Sequence, residues 1–159
     1  MEITLILSIA ALALAGPLAG MSIDQSIKQL PARRSIGSSA YSAYMRAADL
    51  ANGRYLYAFF GLGAAVAAVA AAIGSHVSHV GGSAELPLDI SAALAMLHSG
   101  TTAFAAPIAF RQRNLQLTNE SALTRVLDRF ERWQTARMLL QVSNFGVAIW
   151  AVVGLVRSI

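Results

Sequence analysis

Residues 55–84 read YLYAFFGLGAAVAAVAAAIGSHVSHVGGSA, thirty positions without an Asp, Glu, Lys or Arg residue. Three further windows, residues 3–23, 90–110 and 138–156, lack these charges as well. A helix needs about 20 apolar residues to cross the hydrocarbon core of a bilayer, and each window is about that long or longer. Lipid offers no hydrogen-bond partner to the backbone, so each window should be helical. The sequence therefore predicts four transmembrane helices, at about residues 3–23, 55–80, 89–110 and 137–156.

The composition of the 159-residue chain agrees with this prediction. Apolar residues make up 56% and charged residues 13%, against about 45–50% and about 25% in soluble domains. These fractions exclude an ordinary water-soluble enzyme and a disordered protein. The chain has no cysteine, which excludes disulfides, thiolate catalysis and cysteine-ligated zinc. The alanine- and leucine-rich windows lack the alternation of a β-barrel. We therefore expect one all-α domain over residues 1–159, an integral membrane four-helix antiparallel bundle.

The basic residues predict its orientation. Eleven of the twelve lie in the first and third connections or at their flanks: Lys28, Arg33, Arg34, Arg46, Arg54, Arg111, Arg113, Arg125, Arg129, Arg132 and Arg137. The positive-inside rule places these connections in the cytoplasm and both termini outside it. The expected location is the bacterial inner membrane, with anionic lipid headgroups against the basic face. No arginine run is interleaved with aromatic residues, so no nucleic-acid partner is expected. A cleavable signal peptide is the alternative for residues 3–23, although that window is long for one and no basic residue precedes it.

Two amphipathic segments are expected to extend the spans into the cytoplasm. In residues 40–52, four apolar side chains share a helical stripe, with Arg46 and Asp49 off it: Tyr41, Tyr44, Met45 and Ala48. Ser38 or Ser39 is expected to cap this helix. A second helix should begin at Asn119 and Glu120 and run into the fourth span. One face of it carries Val126, Phe130, Trp133 and Arg137, and Asp128 is expected to pair with Arg125 or Arg132.

His98 is the sharpest candidate for chemistry. It lies about nine residues inside the third window, or ~14 Å at 1.5 Å per residue, near the bilayer midplane. An ionisable residue at that depth is a functional hypothesis. His98 is therefore a candidate ligand for haem iron or bacteriochlorophyll magnesium, or a proton relay. The alternative is a neutral histidine that is hydrogen-bonded to a neighbouring helix.

Two other features of the second span have two interpretations each. His76 and His79, three apart, are candidate metal ligands with Glu85 or Asp89 if they share a helical face; otherwise they are interfacial residues. The alanine- and glycine-rich residues 61–72 favour close helix packing, and room for a lipid-like ligand is the alternative.

Short motifs resemble those of the anthrone-oxygenase-like family of four-helix membrane proteins. They are Leu30–Pro31, the polar residues 46–54 with Asn52, the segment NLQLTN at residues 114–119, and Trp133 followed four positions later by Arg137. The chain departs from the family pattern at Gly53 and Gln116, where proline is expected. The resemblance implies a cofactor-poor oxygenase for a flat aromatic substrate, with Asn114, Asn119, Trp133 and Arg137 near the site.

Two functions are therefore our hypotheses. The first is an accessory or structural subunit, packed among other membrane subunits of a respiratory or photosynthetic complex, because the small residues imply close neighbours and no catalytic constellation stands out. The alternative is a membrane-embedded oxygenase or redox enzyme acting on a hydrophobic aromatic substrate. Its best candidate residues are His98, Asn114, Trp133 and Arg137.

Overall fold

The computed structural model describes residues 1–79 and 84–158, and these form an all-α protein. The α-helices are α1 (Glu2–Ile23), α2 (Leu30–Ile36), α3 (Ser38–Ala47), α4 (Arg54–Val77), α5 (Glu85–Arg111) and α6 (Glu120–Val156). π-Helical turns at Asp24–Gln29 and Ala48–Gly53 join α1 to α2 and α3 to α4. Four helical segments are long and apolar enough to cross a membrane: Glu2–Ile36, Ser38–Val77, Glu85–Asn114 and Glu120–Val156. The prediction of an all-α chain with four such helices is confirmed.

Small residues bring α1 close to α4. A Cβ atom on Gly74 would lie 3.1 Å from Oγ1 of Thr4, and one on Gly63 would lie 3.1 Å from Leu14. Residues early in α1 therefore meet residues late in α4. The buried alanines of α4 pack in the same half of the molecule against α1, α5 and α6: Ala64, Ala67, Ala68, Ala71 and Ala72. The small residues of α4 thus find close neighbours within this chain, as the packing interpretation expects.

Polar side chains link α5 to α6 inside the molecule. Ser91 Oγ donates a hydrogen bond to Asn144 Oδ1 at 2.8 Å, and Nε2 of His98 lies 2.9 Å from Nε2 of Gln141. Residue numbers rise along α5 as they fall along α6. In an apolar interior such hydrogen bonds fix the register of two helices.

The two amphipathic segments pack against each other. We call the part of the molecule formed by residues 24–54 and 111–137 the basic end. Here Arg33, 6% exposed, pairs with Asp128 and Glu131 of α6. The predicted pairing of Asp128 with Arg125 or Arg132 is wrong, because the buried guanidinium of Arg33 on α2 reaches α6 and pairs with this carboxylate.

Side chains cap the starts of α3 and α6 in the basic end. Asn119 Oδ1 accepts from the backbone N–H of Ala122 at 3.2 Å, which confirms the predicted start of α6. The cap predicted at Ser38 or Ser39 is wrong: α3 begins at Ser38, and the carboxylate of Glu120 accepts the backbone N–H groups of both serines. The two segments are therefore joined at the first turns of α3 and α6.

The first ten residues of α4 lie outside the packed interior. None of residues 54–63 is buried. A hydrophobic core lies at the basic end and includes no residue of α4. The connections, α5 and α6 supply its buried residues: Leu30, Tyr41, Met45, Leu50, Ala105, Ile108, Ala109, Leu127 and Phe130. Ala51, in the turn before α4, has the non-helical angles φ −89° and ψ −107°. The first part of α4 therefore lies apart from the packed core that the connections form with α5 and α6.

A candidate ligand cavity

A cavity of about 670 Å³ is lined by the first part of α4, by α5 and α6, and by the two π-helical turns. Ligand pockets in proteins commonly measure about 300–1,000 Å³. Its apolar lining includes Leu50, Ala58, Leu62, Ala106, Ala109, Phe110 and Phe130. Its polar lining includes Ser22, Gln25, Asp49, Tyr57, His98, Ser99, Thr102, Gln134 and Arg137. The cavity can thus hold a molecule that is mainly apolar and has a polar part.

The exposed part of the cavity lining lies on α4 and α5. Tyr55 and Leu62 of α4 line it and are each 63% exposed, and Phe110 of α5 is also exposed. On the inner wall His98 is 6% exposed and Gln134 only 1% exposed. A ligand would therefore pass exposed apolar side chains before it reaches the buried polar groups.

Arg137 brings a positive charge to the inner wall. Its Nη1 donates to Oε1 of Gln134 at 2.9 Å, and Gln134 Nε2 donates to Ser22 Oγ at 3.2 Å. The Nε atom of Arg137 is buried without a hydrogen-bond partner, and no ion pair involves Arg137 within residues 1–79 and 84–158. Burying a charge without a counter-charge is costly. The guanidinium is thus suited to an acceptor inside the cavity.

His98 is held by Gln141 rather than left open to a metal. When the Gln141 amide donates to Nε2, the ring proton lies on Nδ1. That nitrogen is buried and has no partner in the described part of the chain. Axial ligation of haem or bacteriochlorophyll through Nε2 would break the bond to Gln141. The contact with Gln141 matches the alternative of a neutral histidine bonded to a neighbouring helix, and the pigment site stays a prediction.

Asp49 and Gln25 belong to the cavity, and the sequence interpretation missed them. Gln25 Nε2 donates to Asp49 Oδ2 at 2.9 Å, and both line the cavity from the two π-helical turns. Burial raises the pKa of the Asp49 carboxyl above its ordinary value, although the hydrogen bond from Gln25 opposes the shift. A regular helical wheel placed Asp49 on the solvated face. Gln25 and Asp49 are each the second residue in their π-helical turns, and the residue pattern does not reveal such turns.

The cavity unites only part of the predicted site. His98 and Arg137 line it together, whereas Asn114 and Trp133 are not among its lining residues. Asn114 is exposed at the end of a 3₁₀ turn, and Asn119 caps α6. The ring of Trp133 stacks on Phe104 at 5.4 Å between centroids. The residue set that the family resemblance implied is therefore divided between a cavity wall, a loop and a packing contact.

The metal-binding interpretation of His76 and His79 requires that the two side chains share a helical face. α4 ends at Val77, short of the predicted residue 80, and His79 follows with φ 47°. His76 and His79 therefore do not share a helical face. His76 instead lies between Glu85 and Asp89, with Nδ1 2.7 Å and Nε2 2.9 Å from their oxygens. Outside residues 80–83 and 159, no group of three or more His, Asp or Glu side chains is placed to hold a metal ion.

Comparison of the chain with protein-family models, with curated proteins and with solved structures gives no match. The resemblance to anthrone oxygenases stays a prediction from short motifs, and the cavity is the feature that bears on function.

Proposed function

We propose that the four helices cross the bacterial inner membrane as an antiparallel bundle, with the basic end in the cytoplasm. The eleven basic residues of the two connections support this orientation. The cavity then lies where the basic end, which supplies Gln25, Asp49 and Gln134, meets the cytoplasmic half of the bilayer. Its mouth, between Tyr55 and Leu62 on α4 and Phe110 on α5, faces the lipid.

The function we propose is the binding of a membrane-soluble amphiphile in this cavity. The observation that carries the proposal is a cavity of ligand size with apolar walls, an exposed apolar rim and buried polar groups inside. Asp49 and His98 on its wall are groups of the kind used in general acid–base catalysis. An enzyme that acts on a hydrophobic ring compound by proton transfer is therefore the activity that we favour.

The accessory-subunit hypothesis loses one of its two supports. It relied on small residues of the second span that need close neighbours, and the buried alanines of α4 have those neighbours in α1, α5 and α6. Native mass measurement after gentle extraction separates the hypotheses. A species of one chain, 16.7 kDa, carrying a small molecule supports the binding function, whereas a stoichiometric complex with other subunits supports the subunit.

Filling the cavity tests the proposal directly. Ala106 lines the cavity on α5, and Ala103 of the same helix is exposed outside it. We expect Ala106→Trp to abolish co-purification of any bound amphiphile, because an indole occupies the space the ligand needs. Ala103→Trp is the matched control and should retain the ligand. Equal ligand content in both variants, measured by mass spectrometry of solvent extracts, would contradict the proposed function.

A further inference from the structure

We propose that the cavity selects molecules with an acidic head group, and that Arg137 binds this group as an anion. The inference rests on the proposed function, since it names the class of ligand that the same cavity takes. The head group is a carboxylate or a phenolate on an apolar body. Arg137 presents a planar set of donors that matches two oxygens of such a group.

The charges on the cavity wall support an anionic ligand. Three charged residues line the cavity: Asp49, Arg54 and Arg137. Asp49 is held by Gln25, and within the described residues no ion pair joins it to either arginine. Arg54 lies at the exposed mouth over the ring of Tyr55, 4.6 Å from its centroid. The cavity wall thus carries two cations and one anion, and one cation lies deep inside.

Arg33 shows how this fold neutralises a buried guanidinium when the protein itself supplies the counter-charge. Asp128 and Glu131 both reach Arg33 from α6. Arg137 lies on α6 as well, and its guanidinium donates only to the neutral side-chain oxygen of Gln134. The difference is consistent with a counter-charge that arrives with the ligand.

A neutral ligand of the same shape would leave this guanidinium unpaired. A hydrogen bond to a charged group contributes about 1.5–3 kcal/mol, which corresponds to roughly a tenfold to hundredfold difference in affinity. The cavity should therefore discriminate between an acid and its neutral analogue by at least about tenfold.

The test compares two probes that share a flat three-ring body, 9-anthracenecarboxylic acid and 9-anthracenemethanol. The full chain is reconstituted in phosphatidylcholine nanodiscs, which contain no competing anionic lipid. Binding is titrated by fluorescence at pH 7, with partition into empty nanodiscs subtracted. We expect the acid to bind at least about tenfold more tightly than the alcohol. Arg137→Gln should remove this preference, and Arg137→Lys should keep part of it.

Arg129→Gln is the matched control, because Arg129 is an exposed arginine of the same helix outside the cavity. It should retain the full preference for the acid. If Arg137→Gln does not fold, Ala106→Trp takes its place in the test. Loss of acid binding in this variant would show that the wild type binds the acid in the cavity.

The outcomes distinguish the two proposals. Equal binding of acid and alcohol by the wild type, or an undiminished preference in Arg137→Gln, overturns anion selection and leaves amphiphile binding in place. If the wild type binds neither probe, anion selection is overturned for ligands with this three-ring body. The proposed function still stands in that case if a native ligand co-purifies with the wild type and is lost in Ala106→Trp. Loss of both means that both proposals are wrong.

Discussion

The carboxylate of Glu120 takes the place of a side-chain cap at the start of α3. It accepts from the backbone N–H groups of Ser38 and Ser39 and from the Ser39 hydroxyl. The preceding Gly37 has φ 85°, a conformation that glycine adopts without strain. One side chain at the first turn of α6 therefore satisfies donors that a local cap would otherwise serve.

The pH dependence of stability should report this contact. Hydrogen bonds from Ser39 and Ser38 lower the pKa of Glu120 below its ordinary value. A carboxyl whose pKa is lowered on folding stabilises the fold above its unfolded pKa of about 4.3, and this contribution is lost as the pH falls through the lower folded pKa. We expect Glu120→Gln to be less stable than wild type at pH 7 and to converge with it on acidification. Thermal melts in detergent by circular dichroism check this.

Glu2→Gln is the control for that experiment, because Glu2 is exposed in the first turn of α1, away from the basic end. Its stability difference from wild type should not follow the profile of Glu120→Gln. A constant gap between Glu120→Gln and wild type from pH 7 to below pH 4 would show that the carboxylate does not cap α3.

Side-chain partners were the least predictable feature at the residue scale. The sequence predicted the cap of α6 at Asn119 and the apolar helices of the charge-free windows, which depend on neighbours along the chain. Asp128 was assigned to the nearest arginines on its own helix, whereas its partner Arg33 is separated by 95 positions. Only the tertiary fold brings Arg33 to α6, and no local spacing encodes the pair.

At the scale of the elements, charge-free windows located the helices well and their ends less well. The window at residues 3–23 matches α1, but α4 ends at Val77, short of the predicted residue 80. The π-helical turns at Asp24–Gln29 and Ala48–Gly53 were not predicted. They matter most, because they contain Gln25 and Asp49, which line the cavity. Such turns depend on tertiary packing rather than on composition.

The contact between α1 and α4 should be sensitive to a single added methyl group. A Cβ atom on Gly74 would lie 3.1 Å from Thr4 Oγ1, which belongs to a stiff β-branched side chain. We expect Gly74→Ala to lower the free energy of unfolding by about 1–3 kcal/mol through overpacking. A Cβ atom on Gly20 of α1 would have no atom within 4 Å, so Gly20→Ala should be neutral or stabilising. Equal effects in detergent unfolding would show that α1 and α4 are not packed this closely.

The whole molecule combines a tight half and an open half. Alanines hold α1, α4, α5 and α6 together at the end where α4 finishes, and the cavity occupies the end where α4 begins. The two basic connections cover the open end and tie it together through Glu120 and Arg33. This asymmetry was not predictable from the sequence, because residues 55–84 form one uninterrupted apolar window. A ligand that enters this cavity from lipid would do so from the leaflet that the basic end faces.

The orientation of the chain in the membrane decides from which leaflet a ligand would reach the cavity. The chain has no cysteine, so a single introduced cysteine gives an unambiguous label. Thr118, exposed in the basic end, and Glu2, exposed at the start of α1, lie on opposite sides of the proposed bilayer. We expect a membrane-impermeant maleimide to label Glu2→Cys in intact bacterial spheroplasts and Thr118→Cys only after lysis. The reverse pattern would place the cavity in the outer leaflet, and labelling of both cysteines in intact spheroplasts would contradict the four-span arrangement itself. The positive-inside rule favours the first result, because eleven basic residues on one side make the opposite insertion unfavourable.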